Sequence, residues 1–128
     1  MNERTPITAP GAPAAVGPYS HAIRHGDLLF CSGALPLDPK SGELVDDSLA
    51  AEAEQCLRNI AAVCEAAGTQ LGRALRTTVF TTDLNSFGEI NAAYETFFPS
   101  APPARAAIGV GALPKGARVE IDAIVAVG

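Results

Sequence analysis

Apolar positions recur along this chain in two periods, and the changes of period mark out its elements. Leu49, Ala53, Leu57, Ile60, Cys64 and Ala67 return every three or four residues, which predicts a helix from Ser48 to Ala67. Glu52, Gln55, Arg58, Asn59 and Glu65 lie mostly off that stripe, and Gly68 supplies a left-handed stop. Phe87, Ile90, Tyr94, Phe97 and Phe98 form a second stripe. That helix is expected to open on the capping box Ser86-x-x-Glu89 and to end at Phe98, before Pro99. Strands are expected over Tyr19–Arg24, Leu28–Leu35, Arg76–Leu84, Ala104–Val110 and Arg118–Val127, with His25-Gly26-Asp27 as a hairpin turn. Leu28–Cys31 is a continuous apolar run, as expected of a strand covered on both faces. Residues 1–18 hold Pro6, Pro10, Pro13 and Pro18 and read as an extended lead-in. The order is β-β-α-β-α-β-β, an α+β layer with two helices packed on one face of a single sheet. At 128 residues the chain has the size of one domain, 1–128.

Composition narrows the function classes. Net charge is -5 and the nine basic residues are scattered, so phosphate neutralisation has little to work with. The expectation is no nucleic-acid partner. No apolar stretch reaches membrane-spanning length and no signal segment is visible, so a cytoplasmic protein without membrane contact is expected. Cys31, Cys56 and Cys64 are odd in number and lack metal-ligand spacing, which fits small buried thiols in a reducing compartment. His21 and His25 have no cluster of Cys or acids beside them, so no metal site is expected.

A few polar residues sit badly for a plain core. Asn91 falls on or beside the second helix's stripe, where its amide either bonds a nearby backbone group or serves a site. Arg105 shares one strand face with Ala107 and Gly109, while Ala106, Ile108 and Val110 share the other. A guanidinium on such a shallow surface either pairs with a neighbouring acid or presents its paired donors to a carboxylate. In the last strand Val119, Ile121, Ala123, Val125 and Val127 face one way, and Glu120, Asp122 and Ile124 the other. Glu120 could pair with Arg105, hold a water or face solvent. Tyr19 carries a hydroxyl that needs a partner if buried, and Ser32 sits toward the end of a buried strand, before Gly33.

Taken together, several short motifs resemble one family. They are Gly17-Pro18-Tyr19-Ser20, Phe30-Cys31-Ser32-Gly33, Arg76-Thr-Thr-Val-Phe-Thr-Thr-Asp-Leu84, Ile90-Asn91-Ala-Ala-Tyr94-Glu-Thr-Phe-Phe98, Pro103-Ala104-Arg105 and Leu113-Pro-Lys-Gly-Ala-Arg-Val-Glu120-Ile. In that order, over nearly the whole chain, they are similar to the RidA (YjgF) reactive-intermediate deaminases. The resemblance implies a chorismate-mutase-like fold and a homotrimer with active sites between subunits. It implies no metal and no organic cofactor. The implied reaction is hydrolysis of 2-aminoacrylate-type enamines and their 2-imino acid tautomers to 2-keto acids and ammonia. Arg105 matches the family's carboxylate-holding arginine and Glu120 the acid that positions or activates water. Tyr19, Ser32, Gly33 and Asn91 match pocket-lining positions. Ala107 stands where the family often has Cys, Ser or Thr, which leaves substrate range open. A pathway-specific deaminase of a larger enamine such as 2-aminomuconate, and a non-catalytic trimer that binds 2-keto acids, are the alternatives.

Overall fold

Ser48 begins the longer helix as its side chain accepts a hydrogen bond from the Ala51 amide, and α1 runs Leu49–Ala66. It stops where the stop was expected. Gly68 takes φ +80°, and the Gly68 and Thr69 amides bond back to Glu65 and Cys64 in a Schellman closure. The computed structural model describes residues 3–128. Its strands are β1 Thr5–Ile7, β2 Ala22–His25, β3 Leu28–Ala34, β4 Ala74–Thr81, β5 Ala104–Gly109 and β6 Val119–Ala126, with α2 Phe87–Glu95 between β4 and β5. They form one mixed sheet in the order β1-β2-β3-β6-β4-β5, in which only β4 and β5 run parallel.

Both helices pack on one face of the sheet, as expected. Leu29 and Cys31 of β3, Val79 of β4 and Val119, Ile121, Ala123 and Val125 of β6 meet Leu57, Ile60 and Cys64 of α1 and Ile90 and Tyr94 of α2 in a single core. All three cysteines are buried and free.

Four local expectations are corrected. The lead-in contributes an edge strand: Thr5–Ile7 pairs with Ala22–Arg24, and Pro6 is tolerated because β1 has no neighbour on its other side among the described residues. The element order therefore gains a strand at its start. Ser86 does not cap α2 with its side chain, because the chain enters the helix through a 3₁₀ turn, Leu84–Ser86, and α2 itself ends at Glu95. Glu52 and Asn59, expected off the apolar stripe, are buried. β3 is covered on one face only within the chain: Leu29 is inaccessible, while Leu28 and Phe30 are 36% and 42% exposed.

The face away from the helices carries Ile23, Phe30 and Ile124 in one cross-strand row and Glu120, Phe80 and Ile108 in another. It is an apolar surface with Glu120 and Asp122 set into it. Among the described residues no helix is long and apolar enough to cross a membrane.

Candidate functional site

The residues singled out from the sequence assemble into two groups. The first lies where α2 crosses β5. The Arg105 side chain leaves β5 on the helix side, in register with Thr77. Its Nη1 donates to Asn91 Oδ1 at 2.8 Å. Its Cζ lies 5.2 Å from the centroid of the Phe87 ring and 4.8 Å from that of Tyr94. The Tyr94 hydroxyl is itself held by Thr77 Oγ1 at 2.6 Å, in the core. Burial pushes that hydroxyl above its ordinary pKa, opposed by the Thr77 bond and the Arg105 charge, so the ring is a neutral phenol at physiological pH. Asn91, Tyr94, Phe98, Pro103 and Arg105 line an open cleft at this edge. Ala107 follows Arg105 on the same face, exposed, beside Val79.

Asn91 thus uses its amide oxygen on a side chain, where the sequence left a backbone partner and a site role equally open. Arg105 forms no ion pair with an acid among the described residues. Phe87, Tyr94 and Thr77 were missed as site residues. The spacing of Phe87, Asn91 and Tyr94 was legible as one helix face, but nothing in the sequence put β5 beneath it.

The second group sits around the start of β2 and the end of β3. Tyr19 lies in irregular chain before β2, not in a strand, and is half exposed. Ser32 Oγ donates to the Ser20 carbonyl at 2.6 Å, and the Ser32 amide donates to the His21 carbonyl. The His21 ring fastens the lead-in: Nδ1 accepts from the Ala9 amide at 2.9 Å, and Nε2 lies 2.8 Å from the Pro13 carbonyl. One tautomer, with hydrogen on Nε2, satisfies both. Tyr19, Ser32 and Gly33 together line a pocket against α1.

Glu120 does not line that pocket but meets the second group at Gly33. The β3–β6 register shifts between Cys31 and Ala34, and the Glu120 carboxylate lies against Gly33 at that irregularity. A Cβ at residue 33 would fall inside the contact radius of Glu120 Oε2. Burial, and then the charge of Asp122, raise the Glu120 pKa above the usual carboxylate value.

Arg105 and Glu120 do not meet within one chain. β5 and β6 are separated by β4, about 10 Å at ordinary strand spacing, and the two side chains leave opposite faces of the sheet. A pairing between them inside the chain is excluded by this geometry.

This fold and these motifs match known proteins. Residues 9–127 match the family model described as Endoribonuclease L-PSP. A crystal structure of the YjgF gene product from E. coli superposes with a TM-score of 0.91 at 42% identity, covering 95% of this chain and 98% of that one. The chain belongs to the RidA/YjgF family. Among relatives in that family, the RutC family protein y4sK of Sinorhizobium fredii is 53% identical over 120 residues, 94% of this chain and 95% of its own length. The mouse protein named 2-iminobutanoate/2-iminopropanoate deaminase is 46% identical over 121 residues, 94% of this chain and 90% of its own. The RidA/YjgF architecture of two helices on a mixed six-stranded sheet is the one found here.

Proposed function

We propose that this protein hydrolyses 2-enamino acids and their 2-imino tautomers, such as 2-aminoacrylate, 2-iminopropanoate and 2-iminobutanoate, to 2-keto acids and ammonia. The observation that carries the reading is the Arg105 guanidinium, held by uncharged partners and not neutralised by an acid among the described residues. The names of relatives such as the mouse deaminase support it. So does the net charge of -5 without a basic cluster, which favours a small-molecule substrate over RNA despite the family model's description.

In this reading Arg105 binds the planar substrate's carboxylate through two parallel N–H donors. Glu120 directs a water at the C=N carbon and carries its proton to nitrogen; the carbinolamine collapses and ammonia leaves. A carboxyl with a raised pKa suits that exchange near neutral pH. Asn91 and Ala107 line the Arg105 side, and Tyr19, Ser32 and Gly33 the Glu120 side. Because the two halves lie on different faces, a site containing both takes Arg105 from one copy and Glu120 from another, as in a homotrimer with sites between subunits. The apolar open face around Phe30 and Ile108 gives such an assembly surface to bury. The chemistry uses no metal or organic cofactor, and the assigned setting is the cytoplasm. The exposed, methyl-sized Ala107 supports a second reading, a larger enamine such as 2-aminomuconate.

A dehydratase acting on serine or threonine supplies the imine, and 2-keto acid release is followed with and without this protein. Acceleration is expected, with a loss of about a hundredfold or more in Arg105→Ala. Absence of acceleration by the wild-type protein would shift the assignment to a specialised substrate or to 2-keto acid binding without turnover.

A further inference from the structure

We infer that Phe87, Asn91 and Tyr94 form a clamp on α2 that sets the plane of the Arg105 guanidinium and leaves its Nε–Nη2 edge as the receptor for the substrate carboxylate. Phe87 and Tyr94 are thereby positioning residues, acting through Arg105. The identity of the carboxylate rests on the imine-deaminase reading; the clamp itself rests on this chain's geometry.

An arginine that is to receive an anion meets a conflict. An acid beside it would order the side chain, but it would also occupy the donors and cancel the charge. Aromatic faces avoid this, because the ring quadrupole attracts the cation across its π-face and leaves the in-plane N–H groups alone. Arg105 has two such rings, with Cζ 5.2 Å from the Phe87 centroid and 4.8 Å from the Tyr94 centroid. Asn91 Oδ1 accepts from Nη1, the nitrogen on the Cδ side of the guanidinium. That leaves Nε and Nη2, whose parallel N–H bonds match the two oxygens of a carboxylate. Among the described residues neither donates to the protein.

The clamp has a fixed base. Phe87, Asn91 and Tyr94 are spaced to share one face of α2. The Tyr94 hydroxyl bonds Thr77, which lies directly opposite Arg105 on the neighbouring strand. The Phe98 ring packs against Tyr94 at 4.8 Å between centroids. The ring under the guanidinium is therefore tied to β4, the strand paired with the one that carries the arginine. An arginine ordered before substrate arrives binds it more tightly, and an interaction present equally in ground and transition states shows in KM and not in kcat.

The test uses the full chain with Tyr94→Leu, Tyr94→Phe and Phe87→Leu, each checked by thermal melting. KM and kcat are measured in the coupled assay. The Arg105 Nε–H resonance, assigned from its loss in Arg105→Lys, reports the ring currents of the two aromatic faces. Tyr94→Leu should raise KM about tenfold with kcat within about twofold, and should move the Arg105 resonance. Tyr94→Phe keeps the ring and should restore most of both. Phe87→Leu should raise KM about threefold and, at a half-buried position, carries the test if Tyr94→Leu does not fold. Folded Leu variants with wild-type KM and an unmoved Arg105 resonance would overturn the clamp, as would a KM loss without any change at Arg105. If the wild-type protein turns over no imine, the deaminase reading falls, and the Arg105 resonance alone decides for or against the clamp.

Discussion

At residue 33 the missing side chain is a matter of room. The space a Cβ would take is occupied by the Glu120 carboxylate. Gly33→Ala should therefore leave the fold in place, because the flexible end of a glutamate can move aside; if Glu120 has the proposed role, kcat should fall about tenfold or more as the acid is displaced. Unchanged circular dichroism with reduced turnover is the expected result. Asp122 acts on the same carboxyl through its charge. A negative neighbour disfavours ionisation and so raises the Glu120 pKa, adding to the effect of burial. In the proposed mechanism turnover needs the ionised form, so the acid limb of kcat/KM should lie above the usual glutamate range. Asp122→Asn should move that limb to lower pH, while its side-chain oxygen can still accept from the Thr78 amide. A pH profile that does not shift would remove Glu120 from the proton-handling role.

At the scale of the element, α1 is buried on a wider arc than its apolar stripe suggests. Glu52, Cys56, Asn59 and Val63 form a second row at helical spacing, and all four are buried. The two polar members tie down chain outside the helix. Asn59 donates to the Leu35 and Leu37 carbonyls and accepts from Gln55, holding the connection from β3. Glu52 accepts from the Arg118 amide at 2.8 Å and from its Nε at 2.6 Å, fixing the entry to β6 just before Glu120. The partners differ in exposure: the Glu52 side chain is wholly inaccessible, the Arg118 side chain 40% exposed. Breaking the pair from the Arg118 side strands a buried carboxylate, whereas breaking it from the Glu52 side leaves a cation that reaches water. Arg118→Met should cost about 3 kcal/mol, and Glu52→Gln distinctly less. Urea midpoints of the two variants check the order.

For the whole molecule, the separation of Arg105 from Glu120 by the sheet makes a specific demand on assembly. If each site takes one residue from each of two copies, Arg105→Ala and Glu120→Gln proteins are inactive alone. Unfolded and refolded together in equal amounts, they should recover about a quarter of wild-type activity, since each interface then has an even chance at both positions. No recovery would count against sites shared between copies. If the proposed homotrimer forms, Phe30→Asp, which places a charge on the open apolar face, should dissociate it in sedimentation and abolish activity with it.

The periodic elements were legible because they depend on local rules. The stripes and the Ser48 and Gly68 boundaries of α1, the alternation of β6 and the split faces of β5 all follow from geometry that repeats within a few residues. The short motifs were enough to identify the family. Pairings between segments far apart in the chain were not legible. A three-residue strand with a proline gives no period to detect, so β1 became visible only beside β2. The burial of Glu52 depends on Arg118, 66 residues away, and no helical pattern carries that information. The sequence also offered Arg105 and Glu120 together as a site. It could not place them on opposite faces, because side-chain direction in a sheet is set by the register with neighbouring strands. Sequence therefore determined which groups are available for chemistry, and tertiary structure alone decided which of them share a surface: Arg105 with the aromatic face of α2, and Glu120 with Gly33 on the other side of the sheet.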